Sequence, residues 1–152
     1  MPDPHEQPEV RSERLVFISH SSKDLWVAKQ VAREIEACGA KTFLDEAEID
    51  IGDDFEEKIL SFLDQADELV AVITPWALER PYIWAEIGAC WGRRIPIIGL
   101  LHGITSSELQ AKSEVPMLLK KRDLISLNEI ETYLAQLRKR VNGKQWGEES
   151  NA

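Results

Sequence analysis

A chain of 152 residues has room for one domain with a hydrophobic core and short ends, and none for a second folded domain. Hydrophobic residues make up 43% and charged residues 30%, the balance of a globular protein and not of a disordered one. The net charge of -9 opposes direct contact with nucleic acid or an anionic membrane, and no basic patch reverses it: Lys120-Lys121-Arg122 is short, and Arg138-Lys139-Arg140 falls in the last turn of a predicted helix, where cations complement the dipole.

In chain order, residues 1–13 are polar and carry Pro2, Pro4 and Pro8, which predicts a loose N-terminal tail. Leu15-Val16-Phe17-Ile18 reads as a buried strand. Residues 25–38 follow as a helix with Val27, Val31 and Ile35 at four-residue spacing, and Gly39 stands at the position just past its end. Lys41-Thr42-Phe43-Leu44 makes a second strand. An acidic loop over 45–53, with Gly52 as its flexible point, leads to a helix whose apolar face is Phe55, Ile59, Phe62 and Leu63. Residues 69–73 form a third strand, stopped by Pro75, before a helix over about 83–93. A fourth strand over 95–101, a fifth at Leu124-Ile125-Ser126-Leu127 and a closing helix over 129–140 complete a domain spanning 14–141, with a second loose tail over 142–152.

Strands that read as unbroken aliphatic runs are covered on both faces, and alternating β and α elements make such a sheet parallel. The expected fold is therefore α/β: a flavodoxin-like, doubly wound open sheet of five parallel strands flanked by helices. Ligands of such sheets bind beyond the carboxyl ends of the strands, at the point where the winding reverses. The loops after the first three strands, 20–24, 45–53 and 74–82, are the places to look for chemistry.

Cys38 and Cys90 lie far apart in predicted helices, which suggests small core residues and neither a disulfide nor a metal site. The acidic loop Asp45-Glu46-Ala47-Glu48 matches no calcium-loop spacing. No apolar run reaches the roughly 18 to 20 residues that cross a bilayer, and Met1-Pro2-Asp3-Pro4 does not begin like a secretion signal, so a cytoplasmic location is expected. His20 and His102 at strand ends read as structural. Trp76, Trp84 and Trp91 read as core or interface residues, and Trp146 as an aromatic in the tail.

The stretch Pro81-Tyr82-Ile83-Trp84-Ala85-Glu86-Ile87-Gly88-Ala89-Cys90-Trp91 is apolar on nearly all sides and holds one charged side chain, Glu86. A carboxylate inside such a helix needs hydrogen-bond partners or a ligand, because an unpaired buried charge costs several kcal/mol. The helix dipole is expected to favour its ionised form. The alternative is a solvated glutamate, or one paired with Arg80 or Arg93; the residues alone leave both open.

Several pieces in order resemble the TIR family, the Toll/interleukin-1 receptor and resistance-protein domains, and its bacterial members most of all. They are Val16-Phe17-Ile18-Ser19-His20-Ser21-Ser22-Lys23-Asp24, similar to the opening strand and loop; Phe43-Leu44-Asp45 followed by Gly52, similar to the second strand and its long loop; Val72-Ile73-Thr74-Pro75, similar to the third strand; and Tyr82 four positions before Glu86. The resemblance covers about residues 14–140. It implies an NAD+-consuming enzyme that cleaves the nicotinamide-ribose bond, with NAD+ as substrate and no cofactor or metal. Glu86 takes the catalytic position by the family pattern. Tyr82 would stack on the nicotinamide where relatives often carry tryptophan, and Ser21, Ser22 and Asp50 would contact the rest of the substrate. Arg80 stands where relatives commonly have serine, in place to pair with Glu86 or to meet a substrate phosphate.

The resemblance further implies activation by TIR self-association, a separate sensor or effector protein as a possible partner, and a setting in bacterial antiviral defence or signalling. Two other readings stay open: a non-catalytic adaptor that recruits other TIR domains, and an enzyme like the nucleoside deoxyribosyltransferases, which also use a glutamate on a sugar. A phosphoacceptor receiver domain would need paired acidic residues after the first strand, where this chain has His20-Ser21-Ser22.

Overall fold

The computed structural model describes residues 13–44, 64–112 and 124–150, the side chains of 81–82 and 144–150 excepted. The strands are β1 (Leu15–Ser19), β2 (Lys41–Leu44), β3 (Glu68–Ile73), β4 (Ile97–Leu101) and β5 (Leu124–Ser126); the α-helices are α1 (Leu25–Ala37), α2 (Pro81–Gly92), α3 (Ser106–Ala111) and α4 (Ile130–Ser150). The five strands lie in the order β2-β1-β3-β4-β5 and every pairing is parallel. The chain winds from β1 outward to β2, then crosses back to β3 on the other side of β1. The winding therefore reverses between β1 and β3, and their carboxyl ends frame the crevice.

The two-residue period of a strand divides the core into halves. Val16 and Ile18 of β1 with Val70 and Val72 of β3 face α1 and α4, meeting Ala28, Val31, Ile35, Leu134 and Leu137. Phe17, Leu69, Ala71 and Ile73 face α2 and α3, meeting Ile83, Ile87, Cys90 and Leu109. All six residues of β3 are buried, as a central strand covered on both faces requires.

Helices α1 and α2 both end in defined caps. Gly39, at φ +100°, takes the left-handed position after α1 that the sequence assigns to it. At the end of α2 the amide of Arg94 donates to Trp91 O at 3.1 Å and that of Ile95 to Cys90 O at 2.9 Å, the double closure of a Schellman motif. Arg94 sits there at φ 62°, where glycine is usual.

Several boundaries differ from the sequence reading. Helix α2 begins two residues earlier, at Pro81, whose missing amide hydrogen is no loss in a first turn. Strand β4 begins at Ile97, after Pro96, and α4 continues past Val141 to Ser150. Helix α3 was not anticipated. It opens on a capping box in which Thr105 Oγ1 accepts from the amide of Glu108 at 3.1 Å and Glu108 accepts from the amide of Thr105 at 2.9 Å. The predicted helix through Phe55 and Leu63, and the acidic loop before it, lie outside the described residues.

Candidate functional site

Glu86 lies on the sheet-facing side of α2. Ile83, Ile87 and Cys90, at the spacing of one helical face, are all buried in the core beside β1 and β3, and Glu86 falls within that stripe at 4% exposure. The solvated alternative is thereby set aside. Above Phe17 on the same face of β1 stands Ser19, the last residue of the strand, fully buried and level with Ala71 of β3. Its hydroxyl donates to Glu86 Oε1 at 2.5 Å. A charge-assisted bond of this kind is about twice as strong as one between neutral groups. The carboxylate is thus held at the switch point between β1 and β3.

The helix dipole contributes less than the sequence reading expects. Glu86 is the sixth residue of a helix that starts at Pro81, beyond the first turn to which the dipole effect is largely confined. Ser19, which that reading passed over, supplies a direct donor instead. Cys90, one turn further along, is buried, and its thiol is pushed up to about 12, first by burial and then by the charge of Glu86, with Arg93 working in the opposite direction.

The loop after β1 is built from buried polar contacts. Ser21 is 2% exposed and caps a short 3-10 turn at Ser22–Asp24, its Oγ accepting from the amide of Lys23 at 3.2 Å. Asp24 is buried and accepts from Thr74 Oγ1 at 2.6 Å, and Thr74 in turn accepts from the amide of Ala77 at 3.0 Å. This chain of bonds fastens the loop after β1 to the loop after β3. Ser22 is exposed, and Arg80 Nη1 donates to its Oγ at 3.3 Å. Arg93 pairs with Asp64 at 3.0 Å.

Of the residues named from sequence, Glu86, Ser21 and Ser22 come together at the carboxyl edge of β1 and β3. Tyr82 occupies the first turn of α2, with its side chain outside the described residues, and Asp50 lies outside them altogether. Sequence reasoning missed Ser19, Thr74 and Asp24. A hydroxyl ending the aliphatic run Leu15-Val16-Phe17-Ile18 was the available signal for the first of these. Among the tryptophans, Trp84 packs against the core and donates from Nε1 to Leu78 O at 3.1 Å. Trp76 and Trp91 are exposed, as is Trp26 on α1, at 71%. Among the described residues no helix is long and apolar enough to cross a membrane, and no group of potential ligands could hold a metal ion.

Comparison with known proteins agrees with this architecture. The TIR domain of the Toll-related receptor TRR-2 from Hydra magnipapillata is similar with a TM-score of 0.61 at 19% identity, over 84% of this chain and 97% of that one. The TIR domains of the activated Roq1 resistosome, which directly recognizes the pathogen effector XopQ, are similar with a TM-score of 0.56 at 13% identity, over 86% and 84% of the two chains. At such identities the likeness is one of fold. No curated protein matches the sequence. The family model for the TIR domain matches residues 16–140, nearly all of the folded chain, and the protein belongs to the TIR domain family.

Proposed function

We propose that the protein is an NAD+ nucleosidase that cleaves the nicotinamide-ribose bond through the carboxylate of Glu86. The observation that carries this reading is a glutamate 4% exposed, with a buried hydroxyl on Oε1 at 2.5 Å, at the crevice between β1 and β3. A carboxylate in the core of a helix face is costly to maintain without a task.

The chemistry suits one anion. Nicotinamide in NAD+ is already cationic at its ring nitrogen, so it leaves as a neutral base when the bond to C1′ breaks with both electrons going to that nitrogen. No general acid is required. Positive character develops on the ribose, and a fixed carboxylate stabilises it most where water is scarce. Water, or a hydroxyl of the substrate itself, then closes on C1′ and releases a proton. On this reading Glu86 faces the ribose, Tyr82 stacks on the nicotinamide, and Ser21, Ser22 and Asp50 contact the remainder. Arg80, beside exposed Ser22, stands ready for a phosphate.

A second reading, a non-catalytic TIR adaptor, is favoured by the exposed Trp26, Trp76 and Trp91, which suit contact with another protein. Self-association of TIR domains would serve either role. In the catalytic case we expect it to switch the enzyme on, within a cytoplasmic pathway of bacterial antiviral defence or signalling that includes a separate sensor. The experiment is to incubate the concentrated protein with NAD+ and follow free nicotinamide. The nucleosidase releases it, an adaptor releases none, and a deoxyribosyltransferase exchanges bases among deoxynucleosides instead.

A further inference from the structure

We infer that Ser19 is a positioning residue for Glu86, setting the orientation of the carboxylate from the buried end of β1. The inference builds on the nucleosidase reading and adds to it the group through which the sheet controls the reacting side chain.

The geometry is specific. In β1 the odd positions face α2, so Phe17 and Ser19 both point toward the helix that carries Glu86. Phe17 meets the apolar part of that helix, whereas Ser19 meets its one carboxylate. Each other residue from Val16 to Ile18 is aliphatic or aromatic and fully buried. An apolar residue at 19 would continue the pattern and would remove the donor from Oε1. The backbone of Ser19 is itself fixed by parallel pairing with Ala71, so the hydroxyl has little freedom besides its own rotor. Glu86, by contrast, is a long side chain with three torsions, and it leaves a helix rather than the sheet. The bond at 2.5 Å ties the mobile partner to the rigid one. Misplacement of a reacting group by a fraction of an ångström lowers kcat while leaving much of the substrate contact intact.

The roles of Ser19 and of the neighbouring serines are therefore different. Ser22 is exposed beside Arg80, open to substrate, and Ser21, though buried, caps the turn that carries Ser22. Ser19 is fully buried behind the carboxylate and acts through it.

The test compares wild type, Ser19→Ala, Ser19→Thr and Glu86→Ala for nicotinamide release from NAD+, together with the thermal stability of each variant and of the Ser19→Ala/Glu86→Ala double variant. We expect Ser19→Ala to remain folded and to lose roughly 10- to 100-fold in kcat, with KM within about twofold of wild type. Ser19→Thr, which keeps the hydroxyl, should recover most of that loss. The stability effects of Ser19→Ala and Glu86→Ala should be non-additive, as they are for groups in contact. An active wild type with an unchanged kcat in Ser19→Ala, or a loss confined to KM, overturns the positioning role and leaves the nucleosidase reading standing. A wild type that releases no nicotinamide overturns both. Additive stability effects refute the contact itself, whatever the activity.

Discussion

Glu68 and Tyr133, 65 residues apart in sequence, meet by a hydrogen bond from the phenol to the carboxylate beneath the sheet. Glu68 is fully buried and also accepts from Arg14 Nε at 2.9 Å and from Arg140 Nε at 3.0 Å. The first residue of β3 thus ties together the approach to β1 and the final helix at the edge opposite the crevice. Removing a buried ion whose partners remain leaves their charges uncompensated. Glu68→Ala should cost about 3 kcal/mol, the lower end of the usual range, because Arg140 keeps some access to water. Denaturant unfolding measures it, and a change below about 1 kcal/mol would show the cluster to be dispensable.

The same contact makes the stability of the fold depend on alkaline pH. Burial, then the charge of Glu68, raises the Tyr133 hydroxyl well above its ordinary 10.0. A group whose pKa is raised on folding contributes stability that is complete below its unfolded value and is lost as pH rises toward the folded one. The contribution of Tyr133 to stability should therefore begin to fall near pH 10.0 and continue downward above it. Absorbance of tyrosinate should show Tyr133 ionising together with unfolding, and Tyr133→Phe should flatten this part of the stability profile.

Thr74 links the two loops that frame the crevice, donating to buried Asp24 and accepting from the amide of Ala77. Thr74→Val has nearly the same shape and removes both bonds. It should destabilise the protein by about 1–3 kcal/mol, whereas Thr74→Ser should be tolerated. Chemical denaturation of the two variants separates the hydroxyl from the methyl group.

Arg94 bears a left-handed backbone, at φ 62°, in the closure of α2. A side chain costs roughly 1 kcal/mol in that region and glycine almost nothing. Arg94→Gly should therefore stabilise the domain by several tenths of a kcal/mol up to about 1 kcal/mol, after allowing for the greater freedom of glycine in the unfolded chain. Loss of stability would instead assign the guanidinium a contact that outweighs the strain.

What could be read in the sequence was what depends on neighbours in the chain. The run at 69–73 has the composition of a central parallel strand, and Lys41-Thr42-Phe43-Leu44 coincides with β2. Helix α3 is hidden from periodicity because it has six residues, although Thr105-Ser106-Ser107-Glu108 spells the capping box that starts it. For Glu86 the family pattern named the residue, while its burial depended on whether Ile83, Ile87 and Cys90 faced the sheet, a spacing visible in sequence but silent on which side is covered. Contacts such as Ser19 with Glu86, 67 positions apart, and Glu68 with Arg140, 72 apart, arise only when the sheet is assembled. No local signal encodes them.

The central claim is that the carboxylate of Glu86 stabilises the developing charge on ribose, and the rate of nicotinamide release from NAD+ by wild type and by Glu86→Gln measures it most directly. Glutamine keeps the size and can still accept the bond from Ser19 while removing the negative charge. The account predicts that wild type releases nicotinamide and that the variant, equally folded, does so on the order of a hundredfold or more slowly. Equal rates from the two proteins would contradict it.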